Sequence, residues 1–338
     1  MWPARLTPHL AFLIPELLIA AGPFVIESGV GTGKRTFRMP DFFYGGQALI
    51  EGVMMRGRNT VAMSVRLPSG EIRTSSEPLP SALTAGRWLR IPFVRGALVL
   101  YETLVLGTRM LMRSAAIAAE GEDIQIGRGT LAITMVASIG FAIALFFVLP
   151  LVLSTAAAAA SDNDLVANLA EGGIRLVIFV LYLGLIGLTG EVRRVFAYHG
   201  AEHKAISTLE AREPLTPESV DRFSTAHTRC GTTFVLIVVV LSIFFFSLIP
   251  RAGVPFPLLV LSRIALVPVV AAVAYELVRF GARHYGSRLV RGIYAPGLWL
   301  QSLTTRPPDR SMLEVSIASL STVLATDAGD GSAPPVDR

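Results

Sequence analysis

Two short stretches of this chain could do chemistry together: His199-Gly-Ala-Glu202-His203 and His227-Thr-Arg-Cys230. Three of the five histidines and the only cysteine fall within residues 199–230. On a helix, side chains at i and i+4 leave the same face and can hold one ion between them. Imidazole nitrogen with thiolate sulfur is a zinc-like donor set. His199, His203, His227 and Cys230 are therefore the candidate metal ligands, and zinc is the divalent metal the thiolate favours. His-x-x-Glu-His also matches the inverted zincin pattern, in which two histidines bind zinc and the glutamate activates water. In that reading Glu202 is the catalytic general base. A zinc ion lowers the pKa of its bound water to about 7 and polarises a carbonyl or phosphoryl oxygen. Hydrolysis of this kind needs an open coordination position, hence three protein ligands. If His227 and Cys230 both bind, the shell closes and the metal is structural.

Two acidic residues elsewhere in the chain are candidates for additional ligands or for acceptors from a metal-bound histidine. Glu276 lies near the end of an apolar stretch, where it either serves the metal or sits at the membrane edge beside Arg279. Glu51 lies in the Gly-rich run Asp41–Gly57, where its plainer alternative is a pair with Arg56. Arg263 also falls in an apolar stretch and is read as snorkelling to the interface.

The elements that must carry these residues are mostly membrane segments. The 338 residues are 52% hydrophobic and only 16% charged, against about 25% charged in ordinary soluble domains. Leu131–Leu153 is 23 residues without a charge, long enough to span a bilayer, which takes about 20. Leu176–Gly190 reaches that length if Arg175 snorkels at one end. Thr232–Pro250 and Phe256–Val278 make four spans. The fold class is thus a mainly α membrane protein, with about four transmembrane helices, cytoplasmic helical segments and a small β-hairpin. Thr60–Leu67 and Glu71–Glu77, joined by Pro68-Ser69-Gly70, form that hairpin.

Loop charge orients the bundle. Ser154–Gly173 has no Lys or Arg, while Lys34–Arg128 holds thirteen, Glu191–Gly231 six and the chain after Val278 seven. The positive-inside rule places both termini and the His/Cys loop of this multi-pass chain in the cytoplasm. The same arginines explain the basic pI, so nucleic acid is not an expected partner. Membrane lipids are, and association into a homo-oligomer is compatible with the pattern. One cysteine excludes an internal disulfide.

The organisation then reads as an N-terminal extension (1–40), with residues 10–26 surface-lying or loosely ordered. A Gly-rich loop, hairpin and interfacial helix follow (41–129), the last over Ile91–Ala119. Next come the bundle (130–278) with its His/Cys loop (191–231), a cytoplasmic segment with an amphipathic helix over Ser311–Leu324 (279–325), and a disordered tail (326–338). Glu191–Leu209 is helical, and Thr216 caps a short helix starting at Pro217. Gly29–Lys34 looks like a phosphate loop but lacks its spacing and its Ser or Thr, so it is not read as one.

Gly45–Arg56 (GGQALIEGVMMR), His199–Lys204 (HGAEHK), His227–Thr232 (HTRCGT) and Pro296–Gln301 (PGLWLQ), with Thr304–Arg306, together resemble the YqhQ-like family. That is a bacterial family of polytopic membrane proteins built around a domain of unknown function. The likeness runs in order through residues 41–325. It implies a metal-dependent enzyme whose substrate is not established. The family usually has Pro where Thr228 stands, and often a Tyr-Glu pair near Leu209-Glu210. Neither departure removes a candidate ligand. Three functions compete: a metal-dependent hydrolase at the cytoplasmic interface acting on lipid-linked or membrane-near substrates, a non-enzymatic scaffold or assembly factor with a structural metal, and a metal or ion transporter.

Overall fold

The structure, a computed structural model, describes residues 44–79, 91–120, 128–156, 159, 163–284 and 287–329. The expectations for residues 1–40, for Gly29–Lys34 and for the tail from residue 330 onward lie outside these. Four antiparallel strands open the described chain: β1 (Gly45–Leu49), β2 (Gly52–Arg56), β3 (Thr60–Arg66) and β4 (Ile72–Pro78), in the order β1-β2-β3-β4. The expected hairpin is β3–β4, and the Gly-rich run ahead of it supplies the other two strands. Alternation sends β2 and β3 residues to opposite faces. Val53, Met55 and Ala62 join one apolar cluster, and Met54, Val61, Met63 and Val65 another. The sheet is therefore covered on both sides, which is why β2 is buried at every position.

Helix α1 (Val94–Ala118) covers one face through Leu106 and Met110. The other face is covered by α5 (Gly190–Glu210) and α10 (Arg310–Asp327), through Tyr198, Ala201, Ala205, Leu313, Leu320 and Val323. Helix α10 runs two residues into the segment expected to be disordered. There the Asp327 carboxylate accepts from the backbone N–H groups of Arg58 and Asn59. The short helix α6 (Pro217–Asp221) starts as its sequence requires, with Thr216 Oγ1 accepting from the Ser219 N–H at 3.3 Å.

Between these elements lie the apolar helices. Helix α2 (Arg128–Ile143) passes through a π-helical turn (Ala144–Val148) into α3 (Leu149–Leu153). Then come α4 (Asp164–Ile186), α7 (Gly231–Ser247), α8 (Phe256–Arg283) and α9 (Arg288–Thr304). Among the described residues, three segments are long and apolar enough to cross a membrane: Ala132–Leu153, Asp164–Ile186 and Phe256–Gly281. Helix α7 is the remaining expected span, apolar but only 17 residues long. Phe179, Phe234, Ala274, Tyr275 and Leu300 form the common core of α4, α7, α8 and α9. Ile133, Val136, Leu181, Leu185 and Leu261 face outward, where lipid covers them.

Two arginines lie deeper than the sequence pattern implies. The second span begins at Asp164, twelve residues ahead of Leu176, so Arg175 lies within the bundle and is buried. Arg263 does not snorkel either: its side chain is 0% exposed and is bound to Glu171 and Asn168. Both differences have one cause. The uncharged length of the chain places Glu171 in a loop, and without its carboxylate neither arginine has a reason to stay inside.

Candidate metal centre

Helix α5 carries most of the site. Thr189 precedes it in extended conformation and Glu191 stands in its first turn, where a carboxylate meets the positive end of the helix dipole. His199, Glu202 and His203 follow on the side turned toward the 225–230 loop and the end of α9. Gly200, between them, is required by a close approach. A Cβ there would lie 2.2 Å from the Arg306 backbone oxygen, and the Arg306 N–H donates to the Phe196 carbonyl at 2.9 Å. Gly200→Ala is expected to cost about 1–3 kcal/mol through overpacking. Gly190→Ala, where nothing lies within 4 Å, should leave the thermal midpoint unchanged or slightly raised.

His199, His203 and Cys230 converge: one ligand atom from each lies within 4.8 Å of the others. The His199 and His203 rings meet edge to face at 4.3 Å between centroids. His199 Nε2 is 3.3 Å from Cys230 Sγ. Two ligands in a tetrahedral zinc shell stand about 3.5 Å apart by the usual bond lengths. Each imidazole is oriented by a backbone carbonyl. His199 Nδ1 donates to Thr304 O at 2.9 Å, and His203 Nδ1 donates to Thr225 O at 2.5 Å. A carbonyl only accepts, so Nδ1 carries the hydrogen, and Nε2 of the neutral ring keeps the lone pair. This is the outer hydrogen-bonding pattern of metal-ligating histidines.

Burial sets the charge states. It drives His203 well below the usual imidazole range, against the raising effect of Thr225. It also pushes the Cys230 thiol up to about 12, against hydrogen bonds from Thr232 and Thr233. Glu202 is raised by burial too, while His199, His227 and the Gly46 N–H oppose the shift. Its carboxylate oxygen stands 3.5 Å from His203 Nε2. Strand β1 packs so closely here that a Cβ on Gly46 would meet Glu202 Cγ at 2.7 Å.

His227 is near but turned aside. Its ring centroid is 5.5 Å from that of His203, while its Nε2 faces a Glu210 carboxylate oxygen at 3.5 Å. Glu210 also pairs with Arg229, whose guanidinium burial lowers to about 10 against the attraction of Glu202. The backbone of His227 is clamped by Gln301 of α9: Oε1 accepts from the His227 N–H at 2.9 Å, and Nε2 donates to the His227 carbonyl at 2.8 Å.

The two outlying acidic candidates are engaged elsewhere. Glu51 is held by Arg194, with Nε at 2.6 Å from one oxygen and Nη2 at 2.5 Å from the other, and by Tyr198 Oη at 3.4 Å. Arg56, its expected partner, pairs with Glu102 at 3.0 Å. Glu276 is bound by Arg95 and by the Phe93 N–H. Both acids thus tie helices to neighbouring elements. Glu210 and Gln301 were missed as site residues. Glu210 had a signal, since it lies two turns beyond His203 on the same helical stripe. Gln301 had none, because its role is to hold a backbone segment 74 residues away.

These observations define a polytopic membrane protein whose helical bundle meets a sheet-containing module at a buried His/Glu/Cys cluster. Residues 91–326 match the family described as Protein of unknown function (DUF1385). The chain is also similar to "Uncharacterized protein YqhQ" of Bacillus subtilis (strain 168), 30% identical over 298 residues, which is 84% of this chain and 93% of that one. The chain belongs to this YqhQ-like DUF1385 family. No solved structure matches it.

Proposed function

We propose that the protein is a metal-dependent membrane protein in which His199, His203 and Cys230 hold one divalent ion, zinc by preference, and that it acts as a hydrolase at the membrane interface. The observation that carries this reading is the pair of carbonyl-oriented imidazoles, with His199 Nε2 3.3 Å from the Cys230 sulfur and a His203 ligand atom within 4.8 Å of both. Charge balance supports it. A dication with one thiolate and the Glu202 carboxylate sums to zero, which suits a site this deeply buried. The donor set supports zinc over harder metals.

A bound zinc would supply Lewis acidity and an activated water. The chain's own residues would do the rest. Thr304 and Thr225 hold the two rings by their Nδ1 hydrogens, and Gln301 fixes the loop that carries Cys230. Glu202, raised toward neutrality by burial and set beside His203 Nε2, is suited to take a proton and return it. His227 is withdrawn to Glu210, so a three-ligand shell keeps a position open. The cluster adjoins the first turn of apolar helix α7, which begins at Gly231. Substrates carried in or near the membrane fit that position. The excess of arginine on the segments flanking this end favours a cytoplasmic face in the inner membrane.

A structural metal is the second reading, favoured by the burial of Cys230 and His203, 7% and 2% exposed. Elemental analysis of the purified chain, with X-ray absorption, tests both. The enzyme reading expects about one zinc per chain with one sulfur, two nitrogens and a light-atom neighbour from solvent. In that reading Glu202→Gln retains the metal and lowers hydrolytic turnover by about 10²–10⁴. A shell of four protein ligands, with Glu202→Gln harmless, would leave the structural reading. A chain purified without metal, and unable to take it up, would sink both.

A further inference from the structure

A second charged cluster lies inside the bundle, at the other end of α7. Glu171 of α4 is 0% exposed, and three guanidiniums surround it: Arg263 at 0%, Arg175 at 5% and Arg251 at 9%. Arg175 Nη2 donates to Glu171 Oε1 at 2.5 Å. Arg263 donates to both carboxylate oxygens, at 3.3 and 3.2 Å, and to Asn168 Oδ1 at 2.8 Å. Asn168 is itself held through its Nδ2, which donates to Ile249 O at 3.2 Å. Arg251 donates to Ser154 Oγ at 3.0 Å and keeps its Nη1 3.7 Å from Glu171. Phe246 lies beside both deeper arginines, 4.7 Å from Arg175 and 5.2 Å from Arg263. The π-helical turn contributes as well. Its register presents the Phe146 carbonyl, which accepts from Arg175 Nε at 2.8 Å.

The charges do not balance. Three guanidiniums share one carboxylate among the described residues. Asp164, on the rim, gives an oxygen to the backbone N–H groups of Arg251 and Ala252. Even counting Asp164, positive charge is in excess among the described residues. Nη1 of Arg175, of Arg251 and of Arg263 are all buried and lack a hydrogen-bond partner. Uncompensated cations are costly in an apolar interior, and ionisable groups inside a membrane domain usually mark a pathway or a ligand. Planar guanidinium forks match the oxygens of a phosphate. Phe246 lies sixteen residues beyond Cys230, a rise of about 24 Å along α7. The cluster therefore lies in the half of the bundle away from the His/Cys site, with Arg251, just beyond the end of α7, at its outer rim.

We propose that Arg175, Arg251 and Arg263 form a binding site for a phosphate group, borne by a lipid or free in solution. The test is thermal unfolding of the full chain in detergent. Inorganic phosphate and phosphatidylglycerol mixed micelles are titrated separately, with chloride at matched ionic strength as control. A saturable rise of about 5 °C at a hundredfold excess over half-saturation is expected from one of the two. A response to phosphatidylglycerol alone identifies the lipid as the source, and a response to inorganic phosphate identifies the free anion. Arg251→Gln, on the rim, leaves the Arg175 and Arg263 pairs with Glu171 intact and should raise the half-saturating concentration at least about tenfold. A midpoint that neither ligand moves, that chloride moves equally, or that responds identically in Arg251→Gln overturns the site.

Discussion

His203→Ala is expected to leave purified protein with almost no bound zinc, a loss of more than about 100-fold in affinity. The bound is set by weaker changes: removing a partner that only orients a ligand already costs about 10–100-fold. In the proposed site His203 is the ligand that nothing nearby can replace. Its side chain is 2% exposed, its Nδ1 is committed to Thr225 O, and its Nε2, 3.5 Å from a Glu202 oxygen, is the nitrogen left to bind. His227→Ala is the informative contrast. That ring stands against Glu210 and outside the three-atom group, so zinc should remain at about one per chain. Gln301→Ala should fall between, since it frees the loop carrying Cys230 without removing a donor. Elemental analysis after gel filtration distinguishes these results from misfolding, because each variant is measured on its monodisperse fraction. An His203→Ala chain that binds zinc as tightly as wild type, or an His227→Ala chain that loses it, would move the ligand set to other residues.

Glu171→Leu is expected to lower stability by about 3–5 kcal/mol, because it leaves three buried guanidiniums without their carboxylate. For a chain of this size that corresponds to a drop of about 5–10 °C in the thermal midpoint, together with a poorer yield of monodisperse protein. The loss comes from the stranded charge rather than from the pair's own strength. Adding Arg263→Leu to Glu171→Leu should therefore recover part of it, since removing both members of a buried ion pair is often near neutral. The double-mutant cycle measures that coupling directly. A Glu171→Leu chain with an unchanged midpoint would show that the arginines are balanced by something else.

Some features were legible because they are local. Leu131–Leu153 announces a span through uncharged apolar length alone, and Phe256–Val278 through apolar length that Arg263, Pro268 and Glu276 interrupt without ending. Thr216-Pro217 announces a helix start, and Thr60–Glu77 a hairpin, through turn and cap chemistry that acts within a few residues. The spacing of His199 and His203 implies a shared helical face. Other features escaped the same reading. The strands β1 and β2 were hidden in a Gly-rich run, where Gly46 serves contact with Met54 and Glu202 rather than flexibility. Glu51 reads in the sequence as a metal-site acid or, alternatively, as the partner of nearby Arg56, while the fold gives it Arg194, 143 residues away.

By itself the sequence determined the membrane class, the approximate spans and the residues able to bind a metal, since hydropathy, helical period and donor type are properties of neighbouring residues. Only the tertiary structure decided which donors meet. It brought Cys230 to His199, turned His227 toward Glu210, and drew Arg175 and Arg263 inward onto Glu171. The physical reason is the same in each case. A buried polar or charged group must find a partner, and the partner is chosen by packing between elements far apart in the chain, which no local pattern encodes.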